Sequence, residues 1–297
     1  MTRILLIGKN GQVGWELQRT LATLGEMIAL DQPDIDLGDP DSIRRVVREH
    51  KPNLIVNAAA YTAVDKAEEE PDLAMAINGI APGIFAEEAK RLGAALIHYS
   101  TDYVFDGTKP EPYTEDDVPN PLNVYGKTKL AGDRAIQAVG VPYLIFRTSW
   151  VYGMRGKNFL LTILRLARER DELRIVSDQI GAPTWCRMIA EATAQVVAQF
   201  SRPQGEGWAG DISDVYHLTA AGQTSWYGFT QAILKSVKFP NGPSLPRVIP
   251  ISSEEYPTLA PRPKNSMLSN ATIRQKFGLE SPRWEMTLRL SLEERIQ

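Results

Sequence analysis

A tyrosine and a lysine four residues apart carry the clearest chemistry in this 297-residue chain. Tyr125 is the only one of the ten tyrosines with a lysine, Lys129, four residues later. That spacing places both side chains on one face of a helix. An ammonium beside a phenol stabilises the phenolate and lowers a pKa that starts near ~10, so the tyrosine can exchange a proton with a carbonyl or an alcohol. An exposed Tyr–Lys pair with no catalytic role is the alternative explanation of the same spacing.

Hydroxyl-bearing residues follow an apolar run that is typical of a buried strand. Ser100, Thr101 and Asp102 come directly after the run at 95–99. Open α/β sheets bind their ligands at the carboxyl ends of the strands, so a hydroxyl there can bind the reacting oxygen while Tyr125 supplies the proton. The combination predicts a carbonyl reductase that uses no metal ligands. His98, inside the run, is interpreted as a packed residue.

A glycine-rich turn near the start of the chain has the composition of a nucleotide-binding loop. Gly8, Gly11 and Gly14 follow the apolar run at 4–7 and lead into a predicted helix. Glycines let the backbone approach a pyrophosphate, and the helix N-terminus offers it free N–H groups and a positive dipole end. The spacing is G-x-x-G-x-x-G rather than G-x-G-x-x-G, so a turn that binds nothing is the alternative.

The next predicted strand ends at an aspartate. Asp31 lies about 20 residues beyond the glycines, where an acidic side chain accepts hydrogen bonds from an adenosine ribose. An acid at this point favours NADH over NADPH, and an ordinary loop aspartate is the alternative. Asp36 and Leu37 are predicted to flank the adenine. The preference between the two cofactors stays open.

Short apolar runs alternate with helix-length segments through the first half of the chain. This alternation predicts an α/β fold with a Rossmann-like, doubly wound parallel sheet. We expect 1–152 to form the NAD(P)-binding domain, which includes the Tyr/Lys helix, and 153–297 to form mainly a smaller substrate-binding lobe. Some segments of that second half are expected to return to the main domain, and 205–210 is predicted to be a surface loop. The predicted strands are 4–7, 27–30, 54–57, 95–99 and 143–146, and the predicted helices of the first half are 12–24, 41–50, 73–92 and 123–139.

Composition and charge exclude several classes of function. There are 33 Lys and Arg against 36 Asp and Glu, a net charge of −3, which argues against binding to a nucleic acid polymer. The single cysteine, Cys186, excludes an intramolecular disulfide, and the three histidines are too widely separated for a histidine-rich metal site. The apolar run at 4–7 is too short for a signal peptide or a membrane span, so we expect a cytoplasmic protein without membrane contact.

Six motifs resemble those of the dTDP-4-dehydrorhamnose reductases, a family of extended short-chain dehydrogenases/reductases. They are GQVG at 11–14, NAAAYTAVDKAE at 57–68, STDYVF at 100–105, YGKTKLAG at 125–132, RTSWVY at 147–152 and GAPT at 181–184. The resemblance spans nearly the whole chain. It implies reduction of the 4-keto group of dTDP-4-dehydro-β-L-rhamnose by NADPH or NADH, which gives dTDP-β-L-rhamnose for cell-surface polysaccharide.

The resemblance also implies roles for single residues. Thr101 would hold the sugar oxygen, Tyr125 would protonate it as hydride arrives, and Lys129 would bind the nicotinamide ribose and tune Tyr125. Other implied cofactor contacts are Gly11, Gln12, Val13, Asp31, Ala60, Tyr61, Thr62 and Tyr99, beside the Gly8 of the turn. The implied contacts to the dTDP-sugar are Thr62, Val64, Thr101, Asp102, Tyr103 and Trp150, although Trp150 fits a core position equally well.

Two departures from the family's pattern bear on its ligands. Tyr61 stands where the family often has histidine, which is tolerable if the backbone makes the contact. Some members form a dimer around Mg²⁺ held by glutamates; Glu16 and Glu293 match two such positions, but Arg187 stands where a third glutamate is expected. A cation beside an arginine is unfavourable unless the arginine points away or itself replaces the metal by pairing with glutamate. We therefore expect no bound Mg²⁺, and a homodimer stays open.

Two other functions fit parts of this pattern. One is that of another extended nucleotide-sugar enzyme, an epimerase or a dehydratase, which shares Tyr-x-x-x-Lys. A dehydratase needs an additional acid/base pair, whereas Thr101-Asp102 offers one carboxylate. The other is that of a non-catalytic, NADP-binding regulatory subunit, against which the intact Thr101, Tyr125 and Lys129 argue. The configuration of the product at C4, rhamnose or its talose epimer, stays open as well.

Overall fold

Strands and helices alternate along the part of the chain that the computed structural model describes, residues 2–200, 213–237 and 245–293. In chain order its strands are β1 (Arg3–Ile7), β2 (Glu26–Leu30), β3 (Leu54–Asn57), β4 (Ala95–Thr101), β5 (Tyr143–Thr148), β6 (Val151–Tyr152), β7 (Glu172–Val176), β8 (Ile180–Gly181), β9 (Thr184–Trp185), β10 (Asp214–His217), β11 (Thr224–Ser225) and β12 (Arg247–Ile251). Its α-helices are α1 (Gln12–Thr20), α2 (Pro40–His50), α3 (Val64–Glu69), α4 (Pro71–Met75), α5 (Ala81–Leu92), α6 (Val124–Val139), α7 (Phe159–Glu169), α8 (Cys186–Phe200), α9 (Trp226–Ser236), α10 (Ala271–Phe277) and α11 (Trp284–Glu293). The stretch 205–210, predicted as a loop, lies outside the described residues.

Six parallel strands form the central sheet, in the order β10-β5-β4-β3-β1-β2. The predicted doubly wound parallel sheet is therefore confirmed. Its inner strands are mainly apolar because they are buried on both faces, as β3 and β4 are along their whole length. The strand order reverses direction at β1, which has β2 on one side and β3 on the other. A crevice is expected outside the carboxyl ends of β1 and β3, where ligands bind to such sheets.

Two apolar layers cover the sheet. On one face, Leu5 and Ile55 pack with residues of α2 and α5 such as Val47 and Phe85. On the other face, Ile4, Leu6 and Val56 belong to one continuous core with residues of the second half, among them Leu160, Phe229 and Leu288. The two halves of the chain thus share a single core on this face.

The second half of the chain contributes to the central sheet and also builds a smaller layer beside it. Strand β10 pairs with β5 at the edge of the sheet, and α8 packs against α1. The other strands of this half form two-stranded pairs, β7 with β12, β8 with β11, and β9 with β6 from the end of the first half. Along the described segments no helix is both long enough and apolar enough to cross a bilayer.

Two predicted helices differ from those in the structure. The helix predicted over 12–24 ends at Thr20, because the chain turns to bring Gly25 against the carbonyl of Thr2, an approach that a β-carbon would block. The single helix predicted over 73–92 is divided by a π-helical turn, Ala76–Ile80, between α4 and α5. Pro82 follows this turn and has no N–H to donate to the carbonyl of Asn78, which favours the wider winding.

Candidate active site

A cavity of about 430 Å³ opens at the carboxyl edge of the sheet, beside the point where the strand order reverses. It brings together residues from the glycine-rich turn, from the ends of β2, β3, β4 and β5, and from the Tyr/Lys helix. Its lining consists of Gly8, Asn10, Gly11, Gln12, Val13, Asp31, Ala58, Ala59, Ala60, Thr62, Tyr99, Ser100, Tyr125, Lys129, Thr148, Val151, Gly156 and Lys157.

The glycine-rich turn presents bare backbone to this cavity. Gly8 has a φ of +89°, and a β-carbon there would lie 2.7 Å from the backbone nitrogen of Ala59. A β-carbon on Gly14 would overlap the carbonyl oxygen of Gly8. Helix α1 begins directly after Gly11, so its first N–H groups lie beside the turn. The turn therefore has the close backbone approach and the helix N-terminus that a pyrophosphate needs.

The aspartate at the end of β2 lines the same cavity. One carboxylate oxygen of Asp31 accepts from the backbone N–H of Asn10 at 3.0 Å, and the other accepts from the N–H of Gln32 at 2.9 Å. Asp36 and Leu37 lie outside the lining: the Asp36 carboxylate accepts from Gly38 at 2.8 Å, and Leu37 packs against the core. A contact from these two residues to adenine stays a prediction.

The segment after β3 is held by an asparagine that the sequence reasoning missed. The side chain of Asn78 accepts from the backbone N–H of Tyr61 at 2.8 Å and donates to its carbonyl at 3.0 Å. The Tyr61 hydroxyl points elsewhere and donates to Glu70 at 2.6 Å, so the backbone of this residue is the part that is fixed beside the cavity. Asn78 lies in the π-helical turn, which no periodicity in the sequence indicates.

A segment from the second half of the chain closes over the glycine-rich turn. The side chain of Asn158 donates to the Gln12 amide oxygen at 2.8 Å, and the Arg155 guanidinium lies 3.6 Å from the ring centre of Trp15. These contacts fasten 155–158 to α1 and place Lys157 in the cavity lining. Sequence reasoning missed Lys157, because nothing in its local sequence indicates that residue 157 lies beside the turn at residue 8.

The Tyr/Lys helix begins where the sequence predicts it. The Asn123 side chain accepts from the N–H of Gly126 at 2.8 Å and caps α6, and Gly126 lies so close to the Tyr103 carbonyl that no β-carbon would fit. The Tyr125 hydroxyl lies close enough to the Thr101 hydroxyl to interact with it. Thr101 donates to Asp102 at 3.1 Å and accepts from the N–H of Tyr103 at 3.1 Å. The predicted hydroxyl pair is thus assembled at the end of β4.

Burial keeps the phenol of Tyr125 protonated. Loss of water raises the pKa of Tyr125 above its ordinary value, and the carboxylates of Asp102 and Asp133 raise it further, while the bond to Thr101 opposes the shift. This direction is opposite to the one expected from a neighbouring lysine alone. At neutral pH the tyrosine is therefore a proton donor.

Lys129 is almost completely buried, at 1% exposure. Its Nζ donates to the Tyr99 carbonyl at 2.6 Å and lies 3.0 Å from Nε2 of His98. Burial lowers the pKa of Lys129 to about 8, against the opposing field of Asp133. His98 is buried, as the sequence reasoning expects of a packed residue, but it also contacts the lysine.

A buried carboxylate lies below the Tyr/Lys pair. Asp133 accepts from the Ser100 hydroxyl at 2.9 Å and pairs with Arg147 at 3.3 Å. Burial raises the pKa of Asp133, and the positive charges of Arg147 and Lys129 oppose the shift. Asp102 is also buried, which raises its pKa to about 6, and its Oδ2 has no hydrogen-bond partner.

Most of the residues predicted to contact the sugar, namely Val64, Thr101, Asp102, Tyr103 and Trp150, lie outside the lining of this cavity. Tyr103 packs edge-on against Tyr125, with ring centres 5.6 Å apart, and also bonds Arg262. Trp150, in a left-handed conformation with φ +47°, stacks on Trp226 at 3.5 Å. Thr62 lines the first cavity, while Val64 opens α3. A second cavity, about 390 Å³, is lined by Trp226 and Arg262 together with Phe159, Thr162, Ile163, Leu166, Arg170, Leu173, Arg174, Ile175, Val176, Gln179, Tyr256 and Thr258.

Of the residues implied for Mg²⁺, Glu16 is paired with an arginine, and a further glutamate, Glu191, lies near enough to interact with both. Arg187 donates to the Glu16 carboxylate at 3.2 Å, so a guanidinium already neutralises this glutamate. Glu293 lies 3.9 Å from Arg289 on its own helix. Within 2–200, 213–237 and 245–293, no group of three or more His, Cys, Asp or Glu side chains is arranged to bind a metal.

The fold and the site together define an extended short-chain dehydrogenase/reductase: a doubly wound sheet, a glycine-rich turn and a Tyr-x-x-x-Lys helix around one cavity. The same sheet occurs in UDP-glucose 4-epimerase from Thermus thermophilus, solved with NAD, which is 18% identical with a TM-score of 0.79 and is similar in fold alone. Residues 1–296 match the family model described as RmlD substrate binding domain. The chain belongs to this family, that of the dTDP-4-dehydrorhamnose reductases.

Individual relatives are similar over nearly their whole length. The dTDP-4-dehydrorhamnose reductase of Burkholderia thailandensis is 49% identical, over 98% of both chains. The reductase of Escherichia coli K12 is 44% identical, over 98% of this chain and 97% of its own. The crystal structure of the Bacillus anthracis reductase in complex with NADP is 35% identical, with a TM-score of 0.90 over 99% of both chains.

Proposed function

We propose that this protein reduces the 4-keto group of dTDP-4-dehydro-β-L-rhamnose to give dTDP-β-L-rhamnose, with NADPH or NADH as the reductant. The observation that carries the proposal is the position of Tyr125, which lines the cavity, interacts with Thr101 and lies one helical turn from Lys129. The relatives named as reductases of this substrate, at up to 49% identity, support the same conclusion.

The cavity fits a nicotinamide dinucleotide. Gly8 and Gly14 leave backbone where a β-carbon would block a ligand, and α1 directs its N–H groups to the same place. Lys157 adds a positive charge beside the turn, which suits a pyrophosphate. When bound, the reduced cofactor supplies the hydride. Asp31 is the proposed partner of the adenosine ribose, and Lys129 that of the nicotinamide ribose.

The side chains around Thr101 bind and protonate the substrate oxygen. The Thr101 and Tyr125 hydroxyls lie beside each other, so one carbonyl oxygen placed next to them can accept from both. Tyr125 is protonated at neutral pH and gives its proton to that oxygen. The ammonium of Lys129 stabilises the phenolate that results, and Asp133 favours the charged form of this lysine.

We propose that 153–297 forms mainly the substrate-binding lobe, with β10 and α8 returning to the cofactor domain 1–152. The second cavity has aromatic surface from Phe159, Trp226 and Tyr256, which suits a thymine ring. Arg170, Arg174 and Arg262 line the same cavity and suit a diphosphate. Arg262 also bonds Tyr103, which packs on Tyr125, so a nucleotide here would place its sugar toward the proton donor. Val64, Asp102 and Trp150 complete the proposed sugar contacts.

The test measures the loss of the near-ultraviolet absorbance of reduced nicotinamide when the pure protein is mixed with the cofactor and the keto-sugar. The substrate is generated in situ by the preceding dehydratase and epimerase, and NADPH and NADH are compared. Rapid oxidation that depends on the sugar supports the proposal. Tightly retained NAD⁺ with turnover of a nucleotide sugar in the absence of added cofactor would identify an epimerase or dehydratase instead. Cofactor binding without any oxidation would favour a regulatory subunit.

A further inference from the structure

A row of buried hydrogen bonds links Lys129 to the end of β3. The backbone N–H of Ala59 donates to Oδ1 of Asn57 at 3.2 Å, and Nδ2 of Asn57 lies 3.2 Å from Nδ1 of His98. The opposite ring nitrogen, Nε2, lies 3.0 Å from Nζ of Lys129. Asn57, His98 and Lys129 are each 1% exposed, so no bulk water replaces a lost partner.

The amide of Asn57 determines which nitrogen of His98 carries the proton. A backbone N–H is always a donor, so the Asn57 atom that faces Ala59 is the oxygen. The NH₂ group of the amide then faces His98 and donates to Nδ1, which must be unprotonated. Beside a lysine and out of water the ring stays neutral, because burial and the charge of Lys129 both lower the pKa of His98. Its single proton is therefore on Nε2, directed at Lys129.

This arrangement satisfies every group when Lys129 is a neutral amine. The lone pair of Nζ then accepts from the Nε2–H of His98, and one of its own hydrogens goes to the Tyr99 carbonyl at 2.6 Å. An ammonium has no lone pair, so protonation of Lys129 leaves two donors facing each other, either at Nζ and Nε2 or, after a tautomer change, at Nδ1 and Asn57. A buried donor without an acceptor is unfavourable.

We propose that His98, held as the Nε2–H tautomer by Asn57, is a positioning residue that donates its hydrogen to Lys129 and so lets this lysine exchange its proton close to neutral pH. The other groups around Nζ are Asp133 of α6 and the Tyr99 carbonyl of β4, and Arg147 of β5 pairs with Asp133. The carboxylate of Asp133 opposes the effect of His98. The catalytic consequence rests on the proposed function, whereas the hydrogen-bond arrangement does not.

Nitrogen NMR of the full-length protein with ¹⁵N-labelled histidine tests the tautomer directly. Three histidines give three distinct expectations. His50 is half-buried, and His50→Gln assigns its signal. His217 donates from Nδ1 to the Tyr113 carbonyl at 3.1 Å, so it is the opposite tautomer and an internal reference. For His98 we expect protonated Nε2 and unprotonated Nδ1, unchanged between about pH 6 and about pH 9. Protonated Nδ1 in the unmodified protein would overturn the proposal.

Asn57→Asp tests the effect on Lys129. A carboxylate keeps the acceptor for Ala59 and takes the hydrogen of Nδ1, so Nε2 becomes an acceptor and favours the ammonium. We expect the high-pH limb of kcat to move upward by about one pH unit, a tenfold change in the lysine's proton affinity. The control is Asn53→Asp, just before the start of β3, which adds the same charge on a residue whose side chain accepts from the backbone N–H of Arg3. This variant should leave the high-pH limb of kcat where it is.

The tautomer of His98 and the pH profile of kcat together distinguish the ways in which the proposal could fail. A changed tautomer in Asn57→Asp with an unmoved limb would overturn the link between His98 and Lys129. An equal movement in Asn53→Asp would assign the effect to net charge and overturn the proposal as well. If the protein shows no reductase activity at all, the pH profile is lost, but the NMR result on His98 still decides whether the hydrogen-bond arrangement exists. That outcome would count against the proposed function alone.

Discussion

Replacing Tyr125 with phenylalanine removes the proton donor and little else. The phenylalanine ring keeps the edge-on packing against Tyr103, whose centre lies 5.6 Å away, and keeps its place in the cavity lining. The variant loses one hydroxyl and its interaction with Thr101. Because this hydroxyl belongs to a half-buried side chain that lines the cavity, its removal should change the free energy of unfolding by about 1 kcal/mol at most.

The effect on the rate should be much larger than the effect on stability. General-acid loss lowers a rate by about 10²- to 10⁴-fold, which corresponds to about 3–5 kcal/mol of transition-state stabilisation. Affinity for NADPH should change only a few-fold, since no backbone or charge at the turn is altered. Lost activity with retained cofactor binding is therefore the expected signature.

The assay compares steady-state oxidation of NADPH with cofactor affinity from fluorescence titration. Tyr152→Phe is the control, because this change also removes one tyrosine hydroxyl, which bonds Thr287 at 3.2 Å, and Tyr152 lies outside the cavity lining. It should keep nearly full activity. A Tyr125→Phe enzyme within a few-fold of the unmodified protein would refute the assignment of Tyr125 as the acid, and so would an equal loss in Tyr152→Phe.

Three more predictions follow from the same geometry. Lys157→Ala should weaken NADPH binding about tenfold while kcat at saturating NADPH stays within a few-fold, because it removes one charge beside the turn; an unchanged Kd would exclude the contact. The reductase rate should be level below about pH 8 and fall as the pH rises through that value, where Lys129 loses its proton. A rate that stays constant at a pH well above 8 would show that the reaction does not need the ammonium of Lys129. Treatment with EDTA should change neither the rate nor the mass in solution, because Arg187 already pairs with Glu16; loss of either after chelation, restored by Mg²⁺, would show a metal site.

The sheet could be predicted because each inner strand is buried on both faces and therefore appears as a short, continuous apolar run. The predicted strand at 4–7 corresponds to Arg3–Ile7, and that at 54–57 to Leu54–Asn57. The Tyr125–Lys129 pair could also be predicted, since residues four apart on a helix lie on the same face. These predictions depend on local sequence alone.

The parts that escaped prediction depend on residues that are distant in the chain. Lys157 reaches the turn at Gly8 through a segment fastened to α1, and Asn78 holds Tyr61 from a π-helical turn. The periodic pattern of apolar residues in the sequence indicates neither contact. The direction of the Tyr125 pKa shift was also missed, because burial cannot be inferred from the spacing of two residues.

The polar side chains of strand β4 and those of helix α6 are spaced at similar distances, so they can pair with each other. This pairing explains how the charged groups of the site are tolerated in the core. Residues two apart on a strand face the same side and lie about 6.6 Å apart, while residues four apart on a helix lie about 6 Å apart. His98 and Ser100 of β4 accordingly bond Lys129 and Asp133 of α6. Arg147, from the adjacent strand, then balances Asp133. Each buried charge thus has a partner at hydrogen-bond distance, and Tyr125, one turn before Lys129, is left with its hydroxyl directed to Thr101.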